Sequence, residues 1–274
     1  MKTILKVILA YLMCLALLST GCKKDSPSKA SDSDTTKNDV NKDTTKNTTI
    51  DYTSPSIAKD SLVKIPKPLL DKYNNDGNYN LISLIVGETL INTYSSQLAN
   101  YFNYDKDSQS GWTQTKNTDG STTYKWTYPG FAYSILLTYF KSSSESWWKY
   151  EEDSASYKYL LYYVSDKGTS GEVDWYTKTY FKDADKLAFK DSYTKSGSST
   201  NSTFTIYSSQ SGIETERFEA SSNTDRSGTM KIYTQIGETG APVLQWNYTW
   251  DLKGVGTYIS YKADGSTVDT SGSF

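Results

Sequence analysis

Histidine is absent from this sequence, and its absence narrows the chemistry that the chain could perform. Without an imidazole, the chain cannot form a Ser-His-Asp or Cys-His nucleophile pair, and it cannot bind zinc through histidine. Catalysis would have to rely on carboxylates, lysine, tyrosine or a bound metal. No cluster with metal-ligand spacing is present in the sequence. We therefore expect a protein that is not an enzyme and that has no metal or other cofactor.

The sequence also has little net charge and no long apolar run. Its formal net charge is -2, so it lacks the basic patch of a nucleic-acid-binding protein. The apolar run Val7–Leu18 is too short to span a bilayer as a mature helix. Lys2 and Lys6 precede this run, and small residues at 19–21 follow it. This pattern is typical of an export signal that is removed after residue 21.

Cysteine is scarce as well, because only Cys14 and Cys22 are present. Removal of residues 1–21 would leave Cys22 as the only cysteine, which would exclude an internal disulfide. The stretch 18–22, Leu-Ser-Thr-Gly-Cys, resembles the lipobox of bacterial lipoproteins. An ordinary signal peptide with a chance cysteine near its cut site is the alternative. Cys14 is a poor candidate because the apolar run is unfinished there.

The lipobox resemblance implies that Cys22 becomes the new N-terminus and carries a diacylglycerol thioether and an amide-linked acyl chain such as palmitate. Two or more acyl chains hold a protein stably at a membrane, whereas one chain does not. Lys23 follows the cysteine where aspartate would imply retention in the inner membrane. The resemblance therefore implies a lipid-anchored protein of the cell envelope, held in the outer membrane and facing either the periplasm or the surface.

The segment from Lys23 to Asp51 has no aromatic residue and few apolar ones. Such a segment cannot bury enough surface to offset the entropy cost of ordering it. We therefore expect residues 22–51 to be a lipidated cysteine followed by a disordered tether. Residues 52–274 are then predicted to form one β-rich domain.

One helix is predicted in this domain, from about residue 81 to 102. Apolar side chains recur there at helical spacing, and Asn80 can cap the start. Gly87 is expected to weaken its interior. Glu88 interrupts the apolar stripe and argues against a membrane span. Before the helix, Pro66 and Pro68 predict an extended segment over Leu62–Leu70.

After Gly111 the apolar pattern has period two up to the end of the chain. Tyr124, Trp126 and Tyr128 alternate with polar residues, as expected for a strand with one buried face. Glycine-containing turn signals separate the runs and predict about 11–12 short strands. The fold is therefore predicted to be mainly β: a long antiparallel meander, curled into a barrel, half-barrel or two-layer sheet, with the helix packed on it.

Two pairs of adjacent aromatic residues are the candidate ligand-binding residues: Trp147 with Trp148, and Tyr162 with Tyr163. Neighbours on a strand point to opposite faces, so a core on one side cannot bury both members of a pair. An exposed ring would suit stacking on a glycan or anchoring an envelope protein partner. The alternative is that both rings are covered and have a packing role only.

Three functions are compatible with these features. The first is a non-catalytic envelope lipoprotein whose domain binds a glycan or a protein through aromatic side chains. The second is a carrier that holds a lipophilic ligand within a curled sheet, by architectural analogy with lipoprotein carriers. The third is a carboxylate-based glycosidase that uses the acidic run 151–153. That run shows no sign of two carboxyls held across a cleft.

Overall fold

The computed structural model describes Tyr52, Pro55 and residues 63–76, 79–102, 113–127, 130–177, 186–208, 211–238 and 240–274. All of them belong to a compact unit that runs from Ile50 to Phe274. The signal segment, Cys22 and the tether up to residue 51 lie outside the described residues. The lipid attachment and the disordered tether therefore stay predictions.

Two helices precede the sheet in the described part of the chain. Helix α1 is Lys67–Asp76, and helix α2 is Ile82–Tyr101, preceded by a 3-10 turn at Tyr79–Leu81. Thirteen strands follow in the described ranges. They are β1 Thr113–Lys116, β2 Thr122–Thr127, β3 Tyr133–Lys141, β4 Ser146–Ser154, β5 Lys158–Asp166, β6 Ser170–Thr177, β7 Lys186–Ser196, β8 Ser199–Tyr207, β9 Glu214–Asn223, β10 Gly228–Thr234, β11 Val243–Trp250, β12 Gly256–Tyr261 and β13 Val268–Ser273.

These strands form one antiparallel sheet in which each strand pairs with its neighbours in sequence. The predicted mainly β meander with a helix packed on it is confirmed. Among the described strands, β1 and β13 have one neighbour each, so the curled sheet stays open. The count exceeds the predicted 11–12 because β1 and β13 are almost wholly exposed and lack apolar alternation.

Most of the turns fall where the glycine signals predict them. Six of these glycines have a positive φ, the conformation that such turns require and that glycine adopts without strain: Gly120, Gly168, Gly197, Gly212, Gly237 and Gly265. Between β9 and β10, however, Arg226 takes this role with a φ of 71°. The indole of Trp250 donates a hydrogen bond to the Arg226 carbonyl at 2.7 Å, which helps to hold that turn.

The prediction of an extended segment over Leu62–Leu70 is wrong at its end, because α1 begins at Lys67. The Pro66 carbonyl accepts the first helical hydrogen bond from the Leu69 amide at 2.9 Å. Pro68 lies in the first turn, where its missing N–H would have no helical partner anyway. Lys72 then donates to the Gly254 carbonyl at 3.3 Å and ties α1 to the β11–β12 turn.

Helix α2 lies across the strands on one face of the sheet, which we call the inner face; the opposite side is the outer face. Just before α2, the Asn80 carbonyl accepts a hydrogen bond from Tyr248 of β11 at 2.8 Å. Just after it, Phe102 packs edge-on against Tyr150 of β4 at 6.3 Å. Residues 80–102 span roughly 33 Å as a helix. The seven strand spacings from β4 to β11 span roughly 34 Å. The helix is thus long enough to cover most of the inner face.

At Gly87, helix α2 lies in close contact with the sheet. A Cβ atom there would lie 2.6 Å from Met230 Sδ and 2.9 Å from Phe218 Cδ1, and both of these side chains are buried. The glycine therefore has a packing role that helical periodicity alone does not show. Its low helix propensity is offset by the close contact that it allows.

The apolar side chains of the inner face form the core beneath α2. Around Phe102, buried residues from strands β2–β6 form one continuous cluster: Tyr124, Trp126, Ile135, Leu137, Tyr139, Trp148, Tyr162, Val164 and Val173. Tyr52 closes this end, because its hydroxyl donates to the Phe102 carbonyl at 2.7 Å. The core is therefore built on one face of a single sheet.

The carboxyl group of Glu216 lies in register with the apolar rows of the inner face. It pairs with Ile206 of β8, two residues from the buried pair Phe204 and Phe218. Burial raises the pKa of Glu216 to about 7, because the charged form is poorly solvated there. Near neutral pH this group therefore changes its charge inside the folded protein.

Gly87→Ala is predicted to lower the free energy of unfolding by about 1–3 kcal/mol, because the added methyl group would clash with Met230 and Phe218. A solvent-exposed helical glycine would respond in the opposite sense and gain about 1 kcal/mol. Urea unfolding followed by tryptophan fluorescence measures the change. A stabilised variant would contradict the close contact.

Glu216→Gln is predicted to reduce the loss of stability with rising pH. The pKa of Glu216 in the folded protein, about 7, lies above the ordinary value of 4.5. The folded state therefore holds the proton more tightly, and stability falls as pH rises from 4.5 through 7, by at most about 3 kcal/mol. Denaturant unfolding between pH 5 and pH 8 should show a shallower decline for the variant. Glu238→Gln, at an exposed turn residue, is the control and should follow the parent chain.

Candidate ligand-binding face

Within the two aromatic pairs, one member of each lies in the core. Trp148 is buried on the inner face and stacks on Tyr139 at 5.4 Å between ring centroids. Tyr162 is also buried there, with its ring 5.4 Å from that of Trp175. These two rings stabilise the fold and are not presented to solvent.

Trp147, the other member of the first pair, lies half-buried on the outer face. It stacks nearly parallel on Phe140, its cross-strand partner in β3, with 5.4 Å between centroids and 16° between planes. The Lys149 ammonium lies 5.0 Å from the centroid of the indole. The neighbouring ring and cation hold the indole in place, so that a ligand would meet a preformed aromatic surface.

Tyr163 lies half-buried on the same outer face, on the neighbouring strand β5. It is in register with Lys149 of β4 and with Asp174 of β6. Burial raises the pKa of the Tyr163 hydroxyl, a hydrogen bond with Ser165 lowers it, and the charge of Glu172 raises it again. The hydroxyl therefore stays protonated at neutral pH and can donate a hydrogen bond.

A group of paired charges continues the outer face beyond Tyr163. Lys190 of β7 lies 2.8 Å from Glu172 and 3.6 Å from Asp174, both on β6. Burial raises the pKa of Asp174, and the Lys190 charge acts against this effect. The Tyr176 hydroxyl contacts Asp174 at 3.4 Å. Burial, and to a smaller extent the negative charge of Asp174, raises the pKa of Tyr176 to about 12.

Arg217 on β9 is the centre of a second charged group. Its guanidinium contacts Glu214 at 2.7 Å and Glu219 at 2.8 Å, and it lies 4.2 Å from the centroid of the Tyr233 ring. Both groups present donors and acceptors beside aromatic rings. Because the charges are already paired, the outer face carries a mixture of polar contacts without a strong field of one sign.

The acidic run 151–153 does not form a pair of carboxylates across a cleft. Glu152 is buried on the inner face and accepts a hydrogen bond from the Tyr157 hydroxyl at 2.5 Å. Glu151 and Asp153 lie on the outer face, where they contact Lys158 at 3.2 Å and Lys125 at 3.1 Å. Each carboxylate thus has its own partner, and this arrangement resembles a solvated strand more than a pair of catalytic acids.

The described ranges contain neither a metal-binding cluster nor a membrane-spanning helix. No three His, Cys, Asp or Glu side chains of the described residues are grouped so that they could hold a metal ion. None of the helices in those ranges is both long and apolar enough to cross a membrane. Cys22, the predicted lipidation site, lies outside the described residues.

Some residues of this face are not predicted by the sequence patterns. The alternation in β6 places Glu172 and Asp174 on the wetter face, but it does not show that Lys190 lies between them. That contact depends on the register of β6 with β7. A cross-strand pairing of opposite charges is the only signal that could have suggested it.

Comparison with known proteins adds no family to these observations. No protein-family model matches the chain, and no curated protein matches it either.

Proposed function

We propose that this chain is a lipid-anchored protein of the bacterial envelope, without enzymatic activity, that binds a glycan on the outer face of its sheet. The observation that carries the binding proposal is the position of Trp147 and Tyr163. Both rings lie on the face opposite α2, on adjacent strands, and Trp147 is held by Phe140.

A glycan suits this face better than an apolar ligand. Flat rings on a rigid sheet can stack on the C–H surfaces of sugars, and Lys149 and the Tyr163 hydroxyl can bond to sugar hydroxyls. The paired charges around Lys190 and Arg217 supply further polar contacts at little net charge. A protein partner could use the same rings as anchors, and it is the outcome to test if no glycan binds.

A carrier function is the alternative, and the contacts of α2 argue against it. A lipid would need an open space between α2 and the inner face. At Gly87 the helix and sheet are in direct contact, and the cavity beside Trp148 and Val173 holds about 10 Å³. A glycosidase is less well supported still, because the acidic run of β4 is split between the two faces.

Trp147→Ala and Tyr163→Ala are each predicted to weaken glycan binding by about three- to ten-fold, the effect of losing one stacking ring. The measurement is calorimetry or array binding of the purified full chain against neutral gluco-, manno-, xylo- and galacto-oligosaccharides. Leu252→Ala removes an exposed apolar side chain of the β11–β12 turn and is the control. Unchanged affinity in both ring variants would refute the proposal that glycans bind to this face.

Cys22→Ser is predicted to abolish incorporation of an alkynyl palmitate when the full chain is expressed in a bacterium that processes lipoproteins. Cys14→Ser is the matched control, because it removes the other cysteine within the same leader and should leave labelling intact. Fluorescent detection after azide coupling measures the label, and detergent extraction measures membrane association. Label that persists in Cys22→Ser would refute the lipid anchor.

A further inference from the structure

A shallow cleft of about 380 Å³ opens on the outer face at the ends of strands β2, β3 and β4. Its size falls within the range of small-molecule sites. Phe131 and Ala155 on its rim are exposed, whereas Ser134 at its base is buried. A ligand can therefore enter from solvent and reach a hydroxyl group that the sheet holds in place.

The base of the cleft is a row of polar side chains aligned by strand register. Thr127 of β2 pairs with Ser134 of β3, and Ser134 pairs with Asp153 of β4. The two hydroxyl groups lie 2.6 Å apart in a hydrogen bond. The row extends for roughly 10 Å, since neighbouring strands are about 4.8 Å apart.

Lys125 adds a hydrogen-bond donor beside Asp153, the acceptor at the end of this row. Its ammonium contacts the Asp153 carboxylate at 3.1 Å, and both side chains remain partly exposed. An ion pair of this kind contributes about 0–1 kcal/mol to folding, so stability alone gives little reason for its position. Each partner keeps free hydrogen-bonding capacity toward the cleft, because a carboxylate has about four acceptor sites and an ammonium three donors.

An aromatic wall completes the cleft. Phe131, which follows Gly130 in the β2–β3 connection, is 56% exposed, and its ring meets that of Tyr133 edge-on at 5.4 Å. An exposed phenyl group is costly to hydrate, and packing one face of it against a ligand would recover that cost. The wall, the two hydroxyls and the ion pair together match a ring with C–H groups on its face and hydroxyls on its edge.

We propose that this cleft binds a neutral sugar ring, stacked on Phe131 and hydrogen-bonded by Asp153 and Lys125. The inference rests on the proposed function and adds a defined subsite to it. Because Lys125 and Asp153 neutralise each other, the site has no net charge to select an anionic ligand. Asp153 and Trp147 both lie on the outer face of β4, about 20 Å apart along the strand. One extended glycan could therefore contact both places.

The test uses the purified full chain and the neutral oligosaccharide that binds it best in the panel above. Phe131→Ala and Asp153→Asn should each raise the Kd about three- to ten-fold. Addition of that oligosaccharide to the unmodified chain should shift the backbone amide resonances of Ser134 and Asp153. Thermal unfolding checks that each variant is folded. Phe131→Ala, at an exposed position, decides the question if Asp153→Asn is unstable.

The outcomes separate this site from the proposed function. If Trp147→Ala weakens binding but Phe131→Ala and Asp153→Asn do not, the cleft proposal is overturned and the aromatic face stands. If only the cleft variants weaken binding, the cleft is the site and the role of Trp147 is wrong. If no oligosaccharide of the panel binds the unmodified chain, both proposals are refuted.

Discussion

The structure depends on one constraint: a single antiparallel sheet has one apolar face, and that face must be covered. Helix α2 covers it by lying across the strands, and the contact at Gly87 brings the helix axis close enough for Leu84 and Ile91 to be buried as well. Phe102, which directly follows α2, is buried against the core residues of β2–β6 and covers that part of the face. Without this cover, large aromatic side chains on many strands would be exposed to water.

The residues exposed on the outer face are determined by those that pack into the core on the inner face. Since side chains alternate along each strand, packing the inner face fixes which residues remain outside. Trp147, Tyr163 and the paired charges at Lys190 and Arg217 are the residues left there. The sheet thus supplies a rigid support on which rings, hydroxyls and ion pairs are held at strand spacing. Such a surface is suited to recognition by many moderate contacts.

The sequence predicts the elements of this fold better than it predicts their contacts. Helix α2 and the glycine turns follow from local periodicity and backbone preference, so their positions are close to those observed. Helix α1 is missed because Pro68 lies in a first turn, where proline is tolerated. The alternation shows that Trp147 and Trp148 lie on different faces, but not which of them lies on the inner face. The cleft depends on the register of Thr127, Ser134 and Asp153, which no local pattern specifies.

The sequential order of the strands has a consequence for how the chain folds. Each strand pairs with the one made just before it, so the sheet can grow hairpin by hairpin through contacts of short sequence separation, which form fast. The contact between helix α2 and the sheet instead joins residues that are far apart in sequence. Gly87 packs against Phe218 and Met230, which are synthesised more than a hundred residues later. This central contact of the helix can therefore form only after β9 and β10 have been made, and until then the apolar rows beneath Gly87 lack that part of their cover.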